Sequence, residues 1–319
     1  MRLSADNFAI YVALAASVVS LAAYLVLAFA KRKPEGLPRF ARGAYYTSVV
    51  AIAYASVYLL EQILSLKSYD IAYIHDYSGP ADSLLYRISS FWAGQEGSML
   101  LWTLLVGVIG LSFARRCRED VSLFMSFWCT VMTFFTVLLV VADPFRIMPN
   151  YQPGMVGEGL NPLLKNPWMA IHPPVVFLGY ALLIVPAGYA IRAIVKRETG
   201  DWVRPCLPWA LFGWVSLSAG LILGMIWSYE VLGWGGYWGW DPVENASFVP
   251  WLPGMALVHG LLLQRNRGRM TRANLVLAFG TFLLIVYATF LTRSGVLSEV
   301  SNHSFADLGT HGYLLACLI

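Results

Sequence analysis

Few residues in this chain could do chemistry, and the ones that could are gathered together. There are five histidines: His75, His172, His259, His303 and His311. His172 stands in Ile171-His172-Pro173-Pro174, where two prolines restrict the backbone ahead of an apolar span. His303 stands in Ser301-Asn302-His303-Ser304-Phe305, just past another span. Between them runs GWGGYWGWDPVENASFVPW (233–251), which sets Trp234, Trp238, Trp240 and Trp251, with Tyr237 and Phe248, among small glycines. Asp241, Glu244 and Asn245 exclude it as a lipid-buried span, and its aromatic area excludes it as an ordinary solvent loop. Flat rings on a glycine-rich backbone suit a platform for a large planar apolar ligand. Two imidazoles offered to the two faces of one planar ligand are what six-coordinate haem iron accepts. The competing assignments are an interfacial aromatic belt for the tryptophans and a helix cap or carbonyl partner for each histidine.

His259 differs, because Met255-Ala256-Leu257-Val258-His259-Gly260 lies inside an apolar span. An ionisable residue there is a functional candidate by default, and it is assigned as one ligand of a second, b-type haem. Gly260 would let a macrocycle or a neighbouring helix approach closely. Asp241-Pro242-Val243-Glu244 has the order of an N-cap, a first-turn proline and the acid of a capping box. It predicts a short interfacial helix, bent at Pro250 and Pro253, before the next span. For Asp241, capping therefore competes with ligand contact. The four cysteines contain no C-x-x-C and no C-x-x-C-H. The chain is thus neither a thiol oxidoreductase nor a carrier of covalently attached haem.

The elements that must position these groups are membrane spans. The chain is 58% hydrophobic and 13% charged, with a mean hydropathy of +0.61, more apolar than a soluble domain requires. The spans read as Phe8–Ala30, Gly43–Leu66, Gly97–Phe113, Val121–Ala142, Val175–Val195, Pro208–Leu232, a seventh ending near Gln264, and Ala273–Thr292. A truncated ninth begins near Leu308. The expected fold is all-α: a polytopic transmembrane helical bundle of about eight full spans, one unit over 1–319, with no nucleic-acid partner. Loops 31–42, 114–120, 192–207 and 265–272 carry 16 of the 22 Lys and Arg. By the positive-inside rule this puts the N-terminus, the Trp-rich 233–251, the loop 143–174 and the loop 293–307 outside the cytoplasm.

WGGYWGWDP resembles the tryptophan-rich WWD signature of haem-handling membrane proteins. WAGQEGSMLLW (92–102), NPLLKNPWMAIHPPVVFLGY (161–180) and TRSGVLSEVSNHSFA (292–306) extend the resemblance to the cytochrome c maturation haem lyases, the CcmF family. Gly239 departs from that pattern, which usually has an aromatic between the two tryptophans. The resemblance implies that His172 and His303 are the outer ligands of a substrate haem and that His259 is one of two ligands of a membrane haem b. It implies a haem chaperone that delivers haem, and attachment of the haem vinyl groups to the C-x-x-C-H thiols of an apocytochrome c. Thiol-reducing and thiol-presenting proteins, and a quinol that supplies electrons, are implied partners in the cytoplasmic (inner) membrane. Arg146 and Arg293, both on the outer side, are candidates for the haem propionates, against the alternative of arginines snorkelling to headgroups. Alternative functions are a WWD-type haem exporter or loader and a secondary transporter. The 12-residue ninth span and the greater length of the family lead to the expectation of a second polypeptide that completes the bundle.

Overall fold

The computed structural model describes residues 7–32, 34–115, 121–200, 202–233, 235–297, 301, 309 and 311–318. Its helices are α1 (Phe8–Phe29), α2 (Leu37–Ser65), α3 (Ala72–Tyr77), α4 (Leu84–Ser90), α5 (Gln95–Ala114), α6 (Val121–Ala142), α7 (Pro167–Lys196), α8 (Val203–Val231), α9 (Pro242–Arg267), α10 (Thr271–Arg293) and α11 (His311–Leu318). Among the described residues the sole β feature is an isolated bridge between Ile71 and Ile147. Eight of these helices (α1, α2 and α5 to α10) are long and apolar enough to cross a membrane. This is the architecture of a multi-pass membrane protein. With apolar tails outside, helices gain little by hiding apolar faces from one another, so close packing must hold them together. Small residues permit it. A Cβ at Gly220 of α8 would stand 2.6 Å from Val176 Cγ2, and one at Gly179 of α7 would stand 2.7 Å from Leu217 N.

Several expected boundaries fail, most of them at prolines: α2 starts at Leu37 and not Gly43, and α8 starts at Val203 with Pro208 inside it. The fifth span does not start after Pro174. α7 begins at Pro167, capped by the Asn166 side chain on Trp168 N (2.8 Å), and carries Pro173, Pro174 and Pro186 inside it. The separate interfacial helix before the seventh span does not exist either, because Pro250 and Pro253 lie within the continuous α9. A proline is tolerated inside a membrane helix that its neighbours hold, and α8 holds both proline-bearing helices: Ser216 donates to Val175 O of α7 (2.9 Å), and Trp251 of α9 donates to Ser218 Oγ (2.7 Å).

Between the second and third spans, sequence reading found nothing, whereas the structure has α3 and α4. With 143–166 they build a cap over one end of the bundle, the end that the charge distribution assigns to the outside. Its fastener is Asp82, which is buried and accepts from Gly79 N (3.1 Å), Leu160 N (2.9 Å) and Lys165 Nζ (2.7 Å). Ala72 N donates to Arg146 O (2.9 Å) and Glu158 N to His75 O (2.8 Å), stitching the same two segments. Tyr73 divides its hydroxyl between Ser90 O (2.8 Å) and Phe91 O (3.0 Å), tying α3 to the entry of α5. Burial, reinforced by the charges of Tyr77 and Glu96, holds its phenol protonated well above the ordinary tyrosine range, so it stays a donor.

Candidate functional site

Beneath this cap a cavity of about 270 Å³ opens among the cap-side ends of α5, α7, α8, α9 and α10. Its walls include Trp92 and Trp102, the tryptophans that frame 92–102, together with Trp227, Trp238, Phe177 and His172. Sequence reading pointed to Trp238 and His172. It did not assign the other aromatics to a site, since a tryptophan in an apolar span looks like core until its neighbours are known.

His172 lies in the second turn of α7, where the helix faces α8. Its Nδ1 is 2.7 Å from Gly220 O. A carbonyl can only accept, so Nδ1 carries the proton and Nε2 is the basic nitrogen of the neutral ring. This is the state in which a histidine ligates a metal. Gly224, one turn further along α8, makes room for the ring: a Cβ there would stand 2.8 Å from His172 Cε1. Just above, the carboxylate of Glu230 accepts from Asn166 Nδ2 (2.9 Å) and Trp168 Nε1 (3.0 Å), fixing the start of α7 to the end of α8. Trp227 donates to Leu163 O (3.0 Å), and Tyr229 stacks on Tyr237 at 4.5 Å. The end of α8 thus ties the histidine-bearing helix to the Trp-rich stretch.

The residues of that stretch divide. Trp238 lines the cavity and sets its edge against Trp240 and Phe248. Trp240 is 72% exposed and holds φ at +57°, a left-handed conformation unusual for so bulky a residue, with its carbonyl taken by Asn245 Nδ2 (3.1 Å). Trp251 packs away from the cavity between Phe248 and Trp214. Asp241 caps α9. Its Oδ1 accepts from Val243 N (2.8 Å), Glu244 N (3.3 Å) and Ser301 Oγ (2.8 Å), while Glu244 completes the capping box. The Ser301 bond brings the segment that leads toward His303 in the sequence to the head of α9. Trp234 and His303 themselves lie outside the described residues.

The two arginines part company. Arg293 does not snorkel. It is buried, its guanidinium donates to Gln95 O and Ser98 Oγ (2.9 Å each), and it lies 5.6 Å over the Phe177 ring as part of the cavity wall. Arg146 is exposed on the cap and lies outside the cavity lining. His259 is exposed on α9, with Nδ1 donating to Met255 O (2.9 Å), which again leaves Nε2 basic. His172 and His259 do not share a site: His259 is 17 residues into α9 and His172 five into α7, which separates them by ~18 Å in depth. Gly260 serves a helix, not a macrocycle, since a Cβ there would meet Asn274 Oδ1 of α10 at 2.0 Å. Among the described residues no cluster of three or more His, Cys, Asp or Glu could hold a metal ion by itself. Cys129 and Cys206 are buried free thiols.

Residues 92–297, which contain the cavity walls, match the family described as Cytochrome C assembly protein. A structure described as Cytochrome c Heme Lyase CcmF superposes with a TM-score of 0.78 at 33% identity, over 98% of this chain and 50% of that one. The chain belongs to the CcmF family of cytochrome c assembly proteins. CycK of Rhizobium meliloti, a cytochrome c-type biogenesis protein, is 34% identical over 100% of this chain and 47% of the relative. CcmF of Haemophilus influenzae is 35% identical over 95% of this chain and 48% of its own length. The chain spans about half the length of the curated relatives it matches. The extra length of those relatives lies within the same polypeptide, so they lend no support to a separate second chain.

Proposed function

We propose that this chain is the haem-handling part of a cytochrome c haem lyase in the cytoplasmic membrane, with its cavity at the extracytoplasmic face. Haem, handed over by an extracytoplasmic haem chaperone, enters as substrate. His172 and His303 take its iron from opposite sides, and Trp238 leads an aromatic platform that Trp234, Trp240 and Trp251 extend and brace. Each thiol of a C-x-x-C-H motif, kept reduced and presented by partner proteins, then adds across a vinyl group. The sulfur bonds one vinyl carbon, the hydrogen goes to the other, and nothing is oxidised. Such an addition needs no protein nucleophile, only thiol, vinyl and iron held in register. His259 would hold one side of a b-type haem, which when bound relays electrons from quinol to keep the substrate iron reduced.

The observation that carries this reading is the seat of His172. A histidine in a tryptophan-lined cavity has its Nδ1 proton committed to Gly220 O at 2.7 Å, which presents a basic Nε2. His172→Ala and His303→Ala are expected to insert normally and to abolish cytochrome c production. Membrane-fraction immunoblots and a haem stain of cytochrome c read the two effects. Normal maturation in both variants would remove the outer-haem assignment.

A further inference from the structure

The cavity has a mouth and a floor, and the floor carries a polar group with nothing to bond. On α7, His172, Val176 and Tyr180 recur every four residues and share the face that lines the cavity. The wall therefore descends ~12 Å from His172 into the membrane. There Trp102 packs on Tyr180 and Phe177, with centroids 5.7 and 5.8 Å apart, beside the guanidinium of Arg293. The other hydroxyls at this depth are engaged with their own helices: Thr289 with Ile285 O (2.8 Å), Thr292 with Ala288 O (2.7 Å) and Ser98 with Gln95 O (3.0 Å). Tyr180 is 7% exposed, and among the described residues no group bonds its hydroxyl. A hydroxyl that faces a cavity and has no protein partner is open to a ligand there. Side chains on a helix lean toward its N-terminus, which for α7 is the mouth end, so this hydroxyl is aimed upward into the cavity.

Building on the haem site proposed above, we propose that Tyr180 and Arg293 form a carboxylate-binding floor that stands the substrate haem on its propionate edge. A propionate accepts from the Tyr180 hydroxyl beside the Arg293 guanidinium, whose planar fork suits a carboxylate. Propionates and vinyls occupy opposite halves of the macrocycle. Anchoring the carboxylates at the floor therefore turns the vinyl edge to the mouth, between Trp92, Trp227 and Trp238, where an incoming thiol arrives. Tyr180 is a specificity residue in this arrangement: it sets which edge of the haem faces out.

The test titrates the full chain in detergent with haem and with haem dimethyl ester, which has the same iron and vinyls but no carboxylate. The Soret change is taken relative to a His172→Ala variant, so that the outer site alone is read. Tyr180→Phe keeps the ring and its packing and removes only the hydroxyl. It is expected to weaken haem binding by about tenfold while leaving the ester equally bound in both proteins. Equal weakening of both ligands, or unchanged haem affinity, overturns the floor. In either case His172-dependent haem binding in the unmodified protein leaves the proposed function standing. Absence of that binding overturns the proposed function, and the floor with it.

Discussion

What a histidine can bind depends on what holds its ring. For His172 the two holders are backbone features of α8, the carbonyl of Gly220 and the missing side chain of Gly224. Neither shows in a list of reactive side chains, yet each decides which nitrogen is basic and where it stands. Gly224→Ala tests the second. Alanine favours a helix over glycine by about 0.5–1 kcal/mol, so stability is expected to hold or rise. The new methyl would meet the ring at 2.8 Å from Cε1, tighter than a carbon contact allows, and displace it from Gly220 O. The expected result is an unchanged or raised melting temperature with a several-fold loss of His172-dependent haem absorbance. Full retention of that absorbance would show that the ring does not need its seat.

At the scale of elements, α9 begins where the Trp-rich stretch ends, and Asp241 makes both happen. One carboxylate oxygen caps two backbone N–H groups and takes the hydroxyl of Ser301, so the loop, the helix and the returning segment meet at one atom. Removing an N-cap side chain costs ~0.5–2 kcal/mol locally. Asp241→Ala is expected to speed hydrogen exchange in the first turn of α9 and proteolysis within 233–241. Asp241→Ser, which can still cap, is expected to recover most of the protection. If the alanine variant exchanges like the parent, Asp241 acts on a ligand and not on the helix. The prolines illustrate the same scale. The order Pro173-Pro174 marks a boundary in an isolated helix, but inside this bundle α7 is packed along α8, Ser216 bonds Val175 O beside the prolines, and the helix runs on.

For the whole molecule, the alternation of spans sets which groups share a compartment. The cap, the cavity mouth and the Trp-rich stretch all lie at one end, opposite the arginine-rich turn between α9 and α10. A single cysteine placed at Tyr237, which is 56% exposed, is expected to react with a membrane-impermeant maleimide added outside intact cells. A cysteine at Arg269 is expected to react only after the membrane is breached. Native Cys129 and Cys206 are buried, and Cys117 and Cys317 are replaced by serine in both variants so that the introduced thiol alone is read. Labelling in the reverse pattern would invert the topology and the proposed function with it.

Composition and local patterning determined what travels with the chain in any context. Apolar runs of span length called for helices that cross a bilayer, arginine clusters gave the orientation that the labelling tests, and Asp241-Pro242-Val243-Glu244 encoded its own cap. The Trp-rich stretch and His172 were legible as candidates because few residues of their kind occur elsewhere. Depth and neighbours were not legible, because they arise from pairs of residues far apart in sequence. Arg293 reads as an interfacial cation until Gln95 and Ser98 close around it from α5. Tyr180 reads as an aromatic in a span until the packing of α5, α7 and α10 leaves a cavity above its hydroxyl. Trp251, counted with the platform on its spacing, turns to Ser218 because α8 offers a hydroxyl at 2.7 Å. A one-dimensional pattern fixes which face a helix buries. Only the tertiary structure decides what that face meets.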